Sequence, residues 1–486
     1  MAWREAKRTS GYSVLDEIIS ACSKLFKPAK SDEVQYAKTL PAELPSVVRL
    51  YHNLKKTTVK YDDKTYVTSY KKTFDSENAM KSEKFLYDHF EDILAEFAPE
   101  HKSVRVLDSG TDEDGKWYIE TSFVNGETLF DRLRDEQNPD VRKKWVHASL
   151  KESLLHHVTA PLSLFRKDHG GGKAHQGVTR FIEEMKKEGI DCDNKTYHIG
   201  VNAILENFLK KETPYLDCWG KNIITSDISY ISDARATKID WNKFGFFKGG
   251  MFFDLVHIID AFEQQGSHEK RGYLDFAYQT YHSLVAKWNQ HVQSKRADPT
   301  ATMLHLTRYI DDIAERHRVA DVIQANKLSS LEDYLILLDQ NNVEEESLNL
   351  FRNYVSNMKK RDVIDSKEFV LSYLAARVVR GLALSGSYGE FRKKANNEKD
   401  KEFFKVEEMH HLQNAVDGVR KLEQHSLLNV NDYRVFMNLF KLRVAMENTY
   451  DALHKKVATE VKPYESIAPL IGFVGPKEYL QYRIPA

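Results

Sequence analysis

The chain is short of the features that announce a specialised class. Only three cysteines occur in 486 residues, Cys22, Cys192 and Cys218. They show no metal-ligand spacing and no disulfide framework, so a stapled scaffold and a cysteine zinc module are excluded and a reducing compartment is expected. Charge of one sign is lacking. The 71 Lys and Arg balance 72 Asp and Glu to a net charge of -1, and the basic groups are spread among the acids. No electrostatic footprint for nucleic acid follows from that pattern. No window reaches eighteen uninterrupted apolar residues, and the start MAWREAKRTS lacks the apolar core of a signal peptide. Neither a membrane partner nor a secretory leader is therefore expected, and the expected compartment is the cytoplasm.

Several catalytic signatures are missing as well. No Gly-x-Ser-x-Gly elbow is present, which leaves the segment His169-Gly170-Gly171-Gly172-Lys173 without a partner for acyl transfer. That segment also lacks the spacing and the trailing Ser or Thr of a P-loop. KDHGGGKAHQG is read as a mobile loop between helices. The pairs His156-His157 and His410-His411 have no HExxH context and read as helix-face residues. No fixed-period repeat is found.

What is present suffices for a folded, soluble chain. Hydrophobic residues make up 41% and charged residues 29%, with a mean hydropathy of -0.55. This length holds two or three folding units.

The informative chemistry lies near the middle. Asp217 and Asn222 stand five residues apart in YLDCWGKNII, and Asp240 follows eighteen residues later in KIDW. Phosphoryl transfer from a nucleotide needs a carboxylate near the attacking hydroxyl, an amide oxygen on Mg²⁺ and a second carboxylate on Mg²⁺. An isolated Asp-x4-Asn carries no weight, since a solvated loop explains it. Its surroundings add weight. Asn222 leads into the β-type run Ile223-Ile224-Thr225, and Asp240 follows Ala236-Thr237-Lys238-Ile239. Pairing of those runs across the polar stretch 226–235 would bring the two metal-type residues together.

These residues resemble the aminoglycoside phosphotransferase and choline kinase-like superfamily, small-molecule relatives of protein kinases. That family shows a His-Gly-Asp-x4-Asn-Ile-Leu loop, then Ile-Asp-Trp, then an Asp-Leu-Ala helix start. The counterparts here are Tyr215-Leu216-Asp217, Asn222-Ile223-Ile224, Ile239-Asp240-Trp241 and Asp254-Leu255. WYIETSFVNGETLFDRL resembles the linker between lobes, with Glu120 ending a strand, Gly126 in the turn and Leu129 entering a helix. The resemblance spans roughly residues 45 to 265. Its departures are Tyr215 and Leu216 in place of His and Gly, and Trp219 where the family often has His. LKESLLHHVTAPL resembles the helix that packs under the catalytic loop, and Asp254 the residue that braces that loop.

The resemblance implies an α+β, bilobal protein kinase-like fold, and beyond its reach the helical patterning of the residues predicts an α-helical C-terminal extension. Residues 1–44 form a helical lead-in, 45–125 the small antiparallel-sheet lobe, 126–330 the helical large lobe and 331–486 the extension. In the small lobe, SVVRLYHN, TTVKYDD and KTYVTSYKKTF read as strands, followed by a helix capped by Ser76 with an apolar stripe of Phe85, Leu86, His89, Phe90 and Ile93. VRVLDSG and KWYIETSF are two further strands. The phosphate-contact Lys is ambiguous. Ser69 aligns with it, Lys71 lies one step along the same strand face, and a solvated strand end also explains Lys71 and Lys72. The reading carried forward pairs Lys71 with Glu83, with Glu77 as the other candidate. In the extension, Asp365…Glu368 suits a capping box, with Phe369, Tyr373, Leu374 and Val378 along one side. Asn431 suits a second cap. KKANNEKDKEFFK reads as a charged linker. Core packing explains these stripes, and binding of a protein partner or a second copy is the sharper alternative.

The expected function is ATP- and Mg²⁺-dependent phosphoryl transfer to a hydroxyl of a small molecule. Asp217 is the catalytic residue, Asn222 and Asp240 the metal ligands, and Lys71, Glu83 and the strand end from Glu120 to Phe123 the nucleotide contacts. The rival is a pseudokinase, an ATP-binding scaffold whose extension binds a partner. Phosphorylation of a protein ranks below both, because no Ala-Pro-Glu-ended activation loop follows Asp240.

Overall fold

The computed structural model describes residues 54–460 except 62–63, 102, 123, 125, 135, 137, 162–169, 219–222, 228–233, 240–244, 261–266, 311, 397 and 429–432. The expected lead-in 1–44, the expected strand SVVRLYHN, Phe123, Asn222, Asp240 and Asn431 lie outside the described residues.

Val, Thr and Tyr favour a pleated, half-buried surface, and the first described elements are strands β1 (Leu54–Tyr61) and β2 (Lys64–Phe74). Helix α1 (Glu77–Phe97) follows. Ser76 caps it, accepting the Ala79 amide at 3.3 Å from an extended backbone. Strands β3 (Val106–Thr111) and β4 (Trp117–Ser122) complete a four-stranded antiparallel sheet of order β1-β2-β4-β3. The buried stripe of α1 is Met80, Glu83, Leu86, Tyr87, Phe90, Ile93, Leu94 and Phe97. Phe85 and His89 from the expected stripe are only half-buried. The i, i+3, i+7 series starting at Met80 sets the face, and Phe85 stands off it.

The large lobe begins with β5 (Glu127–Thr128), α2 (Leu129–Arg134) and α3 (Pro139–Thr159). Asn138 caps α3 and Pro139 occupies its first turn, where a missing N–H costs nothing. Helices α4 (Gly170–Lys187) and α5 (Asn194–Asn207) come next. Then come β6 (Glu212–Tyr215), β7 (Ile223–Asp227), β8 (Ala234–Lys238) and β9 (Gly245–Lys248), in the small sheets β5-β7-β8 and β6-β9. Helix α6 (Gly250–Ile259) is apolar almost all round and wholly buried.

The reading of KDHGGGKAHQG as a loop is corrected from Gly170 onward, because α4 starts there. The physical reason is packing further along the helix. Val178, Phe181, Ile182 and Met185 are buried in the core, and propagation from such an anchored face carries weak helix formers with it.

After α6 the chain is helical: α7 (Ser267–Ala297), α8 (Pro299–Leu306), a 3-10 turn at Thr307–Tyr309, α9 (Ile313–Ala325), α10 (Leu331–Gln340) and α11 (Glu345–Asn357). Three long helices follow, α12 (Ser366–Lys394), α13 (Glu398–Leu428) and α14 (Tyr433–Glu460). Asp365 caps α12 by accepting the Glu368 amide at 2.8 Å, and Phe369, Tyr373, Leu374 and Val378 are all buried. The expected charged linker shrinks to a break at 395–397, since helix runs to Lys394 and resumes at Glu398.

One hydrophobic core runs from Leu86 in α1 to Leu453 in α14, so the C-terminal helices share the core of the large lobe. Helix α12 is long and apolar enough to cross a membrane by composition, yet 72% of that window is buried inside the protein. It also carries Arg377 in a buried ion pair with Asp260. It crosses α4 closely, where a Cβ on Gly177 would stand 2.6 Å from the Cβ of Ala383. Arg361, just before α12, donates to the carbonyls of Val158 and Ala160 at 2.9 Å each. A cation at those orphan carbonyls complements the C-terminal end of α3. The architecture is therefore bilobal and kinase-like, a small antiparallel sheet with one helix set on a helical lobe extended at its C-terminal side.

Candidate active site

The loop after β6 holds the first expected residue. Tyr215 ends β6, and Leu216, Asp217 and Cys218 follow, all buried. Asp217 takes a positive φ of 54°, a conformation that Asp tolerates better than most residues and that clusters at functional sites. Asp254 imposes it. The oxygens of that carboxylate accept the Leu216 and Cys218 amides at 2.7 Å each, so the N–H groups on both sides of Asp217 converge on one fully buried anion. His157 in α3 adds its Nε2 at 3.1 Å from Asp254 Oδ2. The expectation that α3 lies under this loop, braced by Asp254, matches these contacts. Tyr215, which stands where the family has His, donates its hydroxyl to Asp217 Oδ1 at 2.6 Å. Burial, with Asp217 beside it, pushes the Tyr215 phenol well above its ordinary range.

Strands β7 and β8 pair antiparallel with Ile223 opposite Lys238, as the two β-type runs led one to expect. The chain leading to Asn222 and the chain leading to Asp240 thus leave the same end of one hairpin, while those two residues lie outside the described set.

On the small lobe, the expected partnership of Lys71 with Glu83 is corrected. Lys72 is the partner, with Nζ 2.8 and 2.7 Å from the two Glu83 oxygens. The reason is strand parity. Lys72 lies opposite Ile119 across β2 and β4, and Ile119, 1% exposed, marks the buried face on which α1 rests. Lys71 points the other way, with its ammonium 3.5 Å from the centre of the Tyr118 ring. Ser69, on the same face as Lys71, is buried and donates to Glu120 Oε1. Glu120 lies within β4, two residues before its end.

The lobes meet beside this site. The Tyr87 hydroxyl in α1 donates to the carbonyl of Ile239, just past β8, at 2.6 Å. The Phe90 ring meets the His156 ring edge-on at 4.6 Å. Glu152 in α3 accepts the Lys238 amide at 2.8 Å and lies 3.2 Å from His101 Nδ1. Burial pushes the Glu152 carboxyl up to about 8 and holds His156 well below its ordinary value. The trios His101, Glu152, His156 and His157, Cys218, Asp254 have metal-ligand chemistry. In the first, Lys238 stands close enough for its charge to act on both Glu152 and His156. In the second, the Asp254 oxygens are engaged by backbone amides.

Sequence reasoning missed Lys72, Tyr215, His157 and Glu152 as parts of this site. Parity of the strand on its helix side was the one signal for Lys72, and it needs the register of β4.

No family model matches this chain, and no curated protein matches it. Among solved structures it is similar to a point mutant of aminoglycoside 2'-phosphotransferase-IIIa in complex with GDP, at 10% identity over 63% of this chain and 96% of that one, with a TM-score of 0.30. It is also similar to APH(2")-IIIa with GDP and kanamycin, at 10% identity over 62% and 93%, with a TM-score of 0.31. At that identity no residue role passes from them to this chain.

Proposed function

We propose that the protein is an ATP- and Mg²⁺-dependent phosphotransferase acting on a hydroxyl of a small molecule. The observation that carries the reading is Asp217, held at positive φ between two amides that Asp254 gathers. A loop strained and clamped in this way fixes one carboxylate in space, which is what positioning an acceptor hydroxyl demands. Tyr215 donates to Oδ1 of Asp217, and the Asp217 carboxylate would orient the hydroxyl and take its proton. Lys72, fixed by Glu83, replaces Lys71 as the cation offered to the nucleotide phosphates. The backbone from Glu120 to Phe123 would meet the base. An amide oxygen and a carboxylate are donors that suit a hard cation, so Asn222 and Asp240 would hold Mg²⁺, which neutralises phosphate charge when bound. Asp217→Asn tests the reading. Turnover of ATP with an acceptor should vanish while the Mg·ATP-induced shift in melting temperature persists; turnover equal to wild type would remove Asp217 from the chemistry.

One observation favours the pseudokinase reading. Tyr215 and Asp217 are both buried and bonded to each other, as a retired catalytic loop would also be. A nucleotide-dependent melting shift without any ATP consumption across acceptors would select it.

A further inference from the structure

Helix α12 packs on α6, the helix whose Asp254 holds the candidate loop. Arg380 lies half-buried on α12, and its Nε donates to Nε2 of His257, three residues past Asp254 in α6. Its charge acts on two buried phenols, Tyr215 beside Asp217 and Tyr388 further along α12, in each case against the upward push of burial. The neighbouring arginines of α12 are matched. Arg377 has Asp260 Oδ2 at 2.9 Å and Asn414 Oδ1 at 2.6 Å. Arg392 has Glu408 at 2.9 Å and Glu188 at 3.1 Å. For Arg380, among the described residues, the His257 bond is the single polar contact, and no carboxylate pairs with it. Glu407, the nearby acid that acts on Tyr388, is 3.4 Å from His411 Nε2.

A half-buried guanidinium that makes one protein contact can take further acceptors at its terminal N–H groups. Its planar fork matches a carboxylate or a phosphate through two parallel bonds. We propose that the acceptor carries an anionic group, a carboxylate or a phosphate, which the terminal edge of Arg380 binds while its hydroxyl meets Asp217. The inference rests on the phosphotransferase reading and narrows its substrate class. A cation whose charge reaches Tyr215, the hydrogen-bond partner of Asp217, attracts anionic alcohols and disfavours cationic ones.

The test is calorimetric titration of the full chain, with and without Mg·ADP, using five hydroxylated probes: gluconate, glucose 6-phosphate, glucitol, choline and kanamycin. ATP consumption is followed for each. Gluconate or glucose 6-phosphate should bind roughly 10- to 100-fold tighter than glucitol, the range expected of a charge-assisted fork. The two anionic arms tell carboxylate from phosphate. Arg380→Gln should erase the preference through KM, with the Mg·ATP melting shift unchanged, and Arg380→Lys should keep part of it. Equal binding of anionic and neutral probes, tighter binding of choline or kanamycin, or a preference that survives Arg380→Gln overturns the proposal. An Arg380-dependent anion preference without any response to Mg·ATP keeps the anion site and removes the phosphotransferase reading instead.

Discussion

Lys72→Met and Lys71→Met should have sharply different consequences, although the two residues are adjacent. Lys72 Nζ bridges both oxygens of Glu83, whose side chain is 3% exposed, while its own is 13% exposed. Removing the ammonium leaves a buried carboxylate without this cation, a change that destabilises by about 3–5 kcal/mol. Lys71 has the Tyr118 ring face at 3.5 Å at a half-buried site, worth about 0.5–1 kcal/mol. The gap between the variants is therefore about 2–4 kcal/mol. Urea unfolding with matched slopes reads it directly. Lys72→Met combined with Glu83→Gln should recover part of the loss, because the second change removes the stranded charge, and the cycle measures their coupling. Mg·ATP should shift the melting temperature of the Lys71 variant as it does the wild type and lose its effect on the Lys72 variant. Equal losses for the two single variants, or simple additivity in the cycle, would refute the parity argument.

Other outcomes follow from the same contacts. Asp254→Ala orphans the amides of Leu216 and Cys218, at about 1–3 kcal/mol each, and hydrogen exchange at both should accelerate together. Glu152 is raised to about 8 by burial. Between its unfolded value and about 8 the unfolded chain has lost a proton that the folded chain keeps, so this group's contribution to stability falls as pH rises through that window. Glu152→Gln removes the titration, and its stability relative to wild type should improve from pH 5 to pH 8 in urea unfolding; a flat difference contradicts the assignment. Gly177→Ala sets a Cβ 2.6 Å from that of Ala383, an overpacking expected to cost about 1–3 kcal/mol, with partial recovery in combination with Ala383→Gly.

Local rules made much of this legible. Ser76 and Asp365 cap their helices as their side chains and the following amides required. The β-type runs at 223–225 and 236–238 pair as their alternating, partly β-branched residues suggested. Asp254 braces the loop from the position that the family resemblance had implied. What could not be read depends on contacts distant in sequence. Whether Lys71 or Lys72 faces α1 is decided by the register that sets Lys72 against Ile119. The start of α4 within a glycine run is decided by the burial of Val178, Phe181, Ile182 and Met185 further along the helix. Arg380 is separated by 123 residues from His257, and no local pattern relates them.

Helix α6 is where these long-range contacts meet. Asp254, His257 and Asp260 recur every third residue, so they follow one side of the helix as a shallow spiral. Asp254 holds the loop amides, His257 accepts from Arg380, and Asp260 takes Tyr373 and Arg377 at 2.7 and 2.9 Å. The same helix therefore fixes the φ of Asp217 and seats α12. A buried helix that is apolar on its other sides resists tilting, because any tilt opens voids in a close-packed core. Displacing α12 must then either break the Asp260 pair, at a penalty typical of a buried ion pair, or carry α6 and the loop with it. The C-terminal helices are in this sense part of the candidate site, and a truncation before Ser366 should lose the ordered loop along with the extension, seen as rapid exchange of the Leu216 and Cys218 amides.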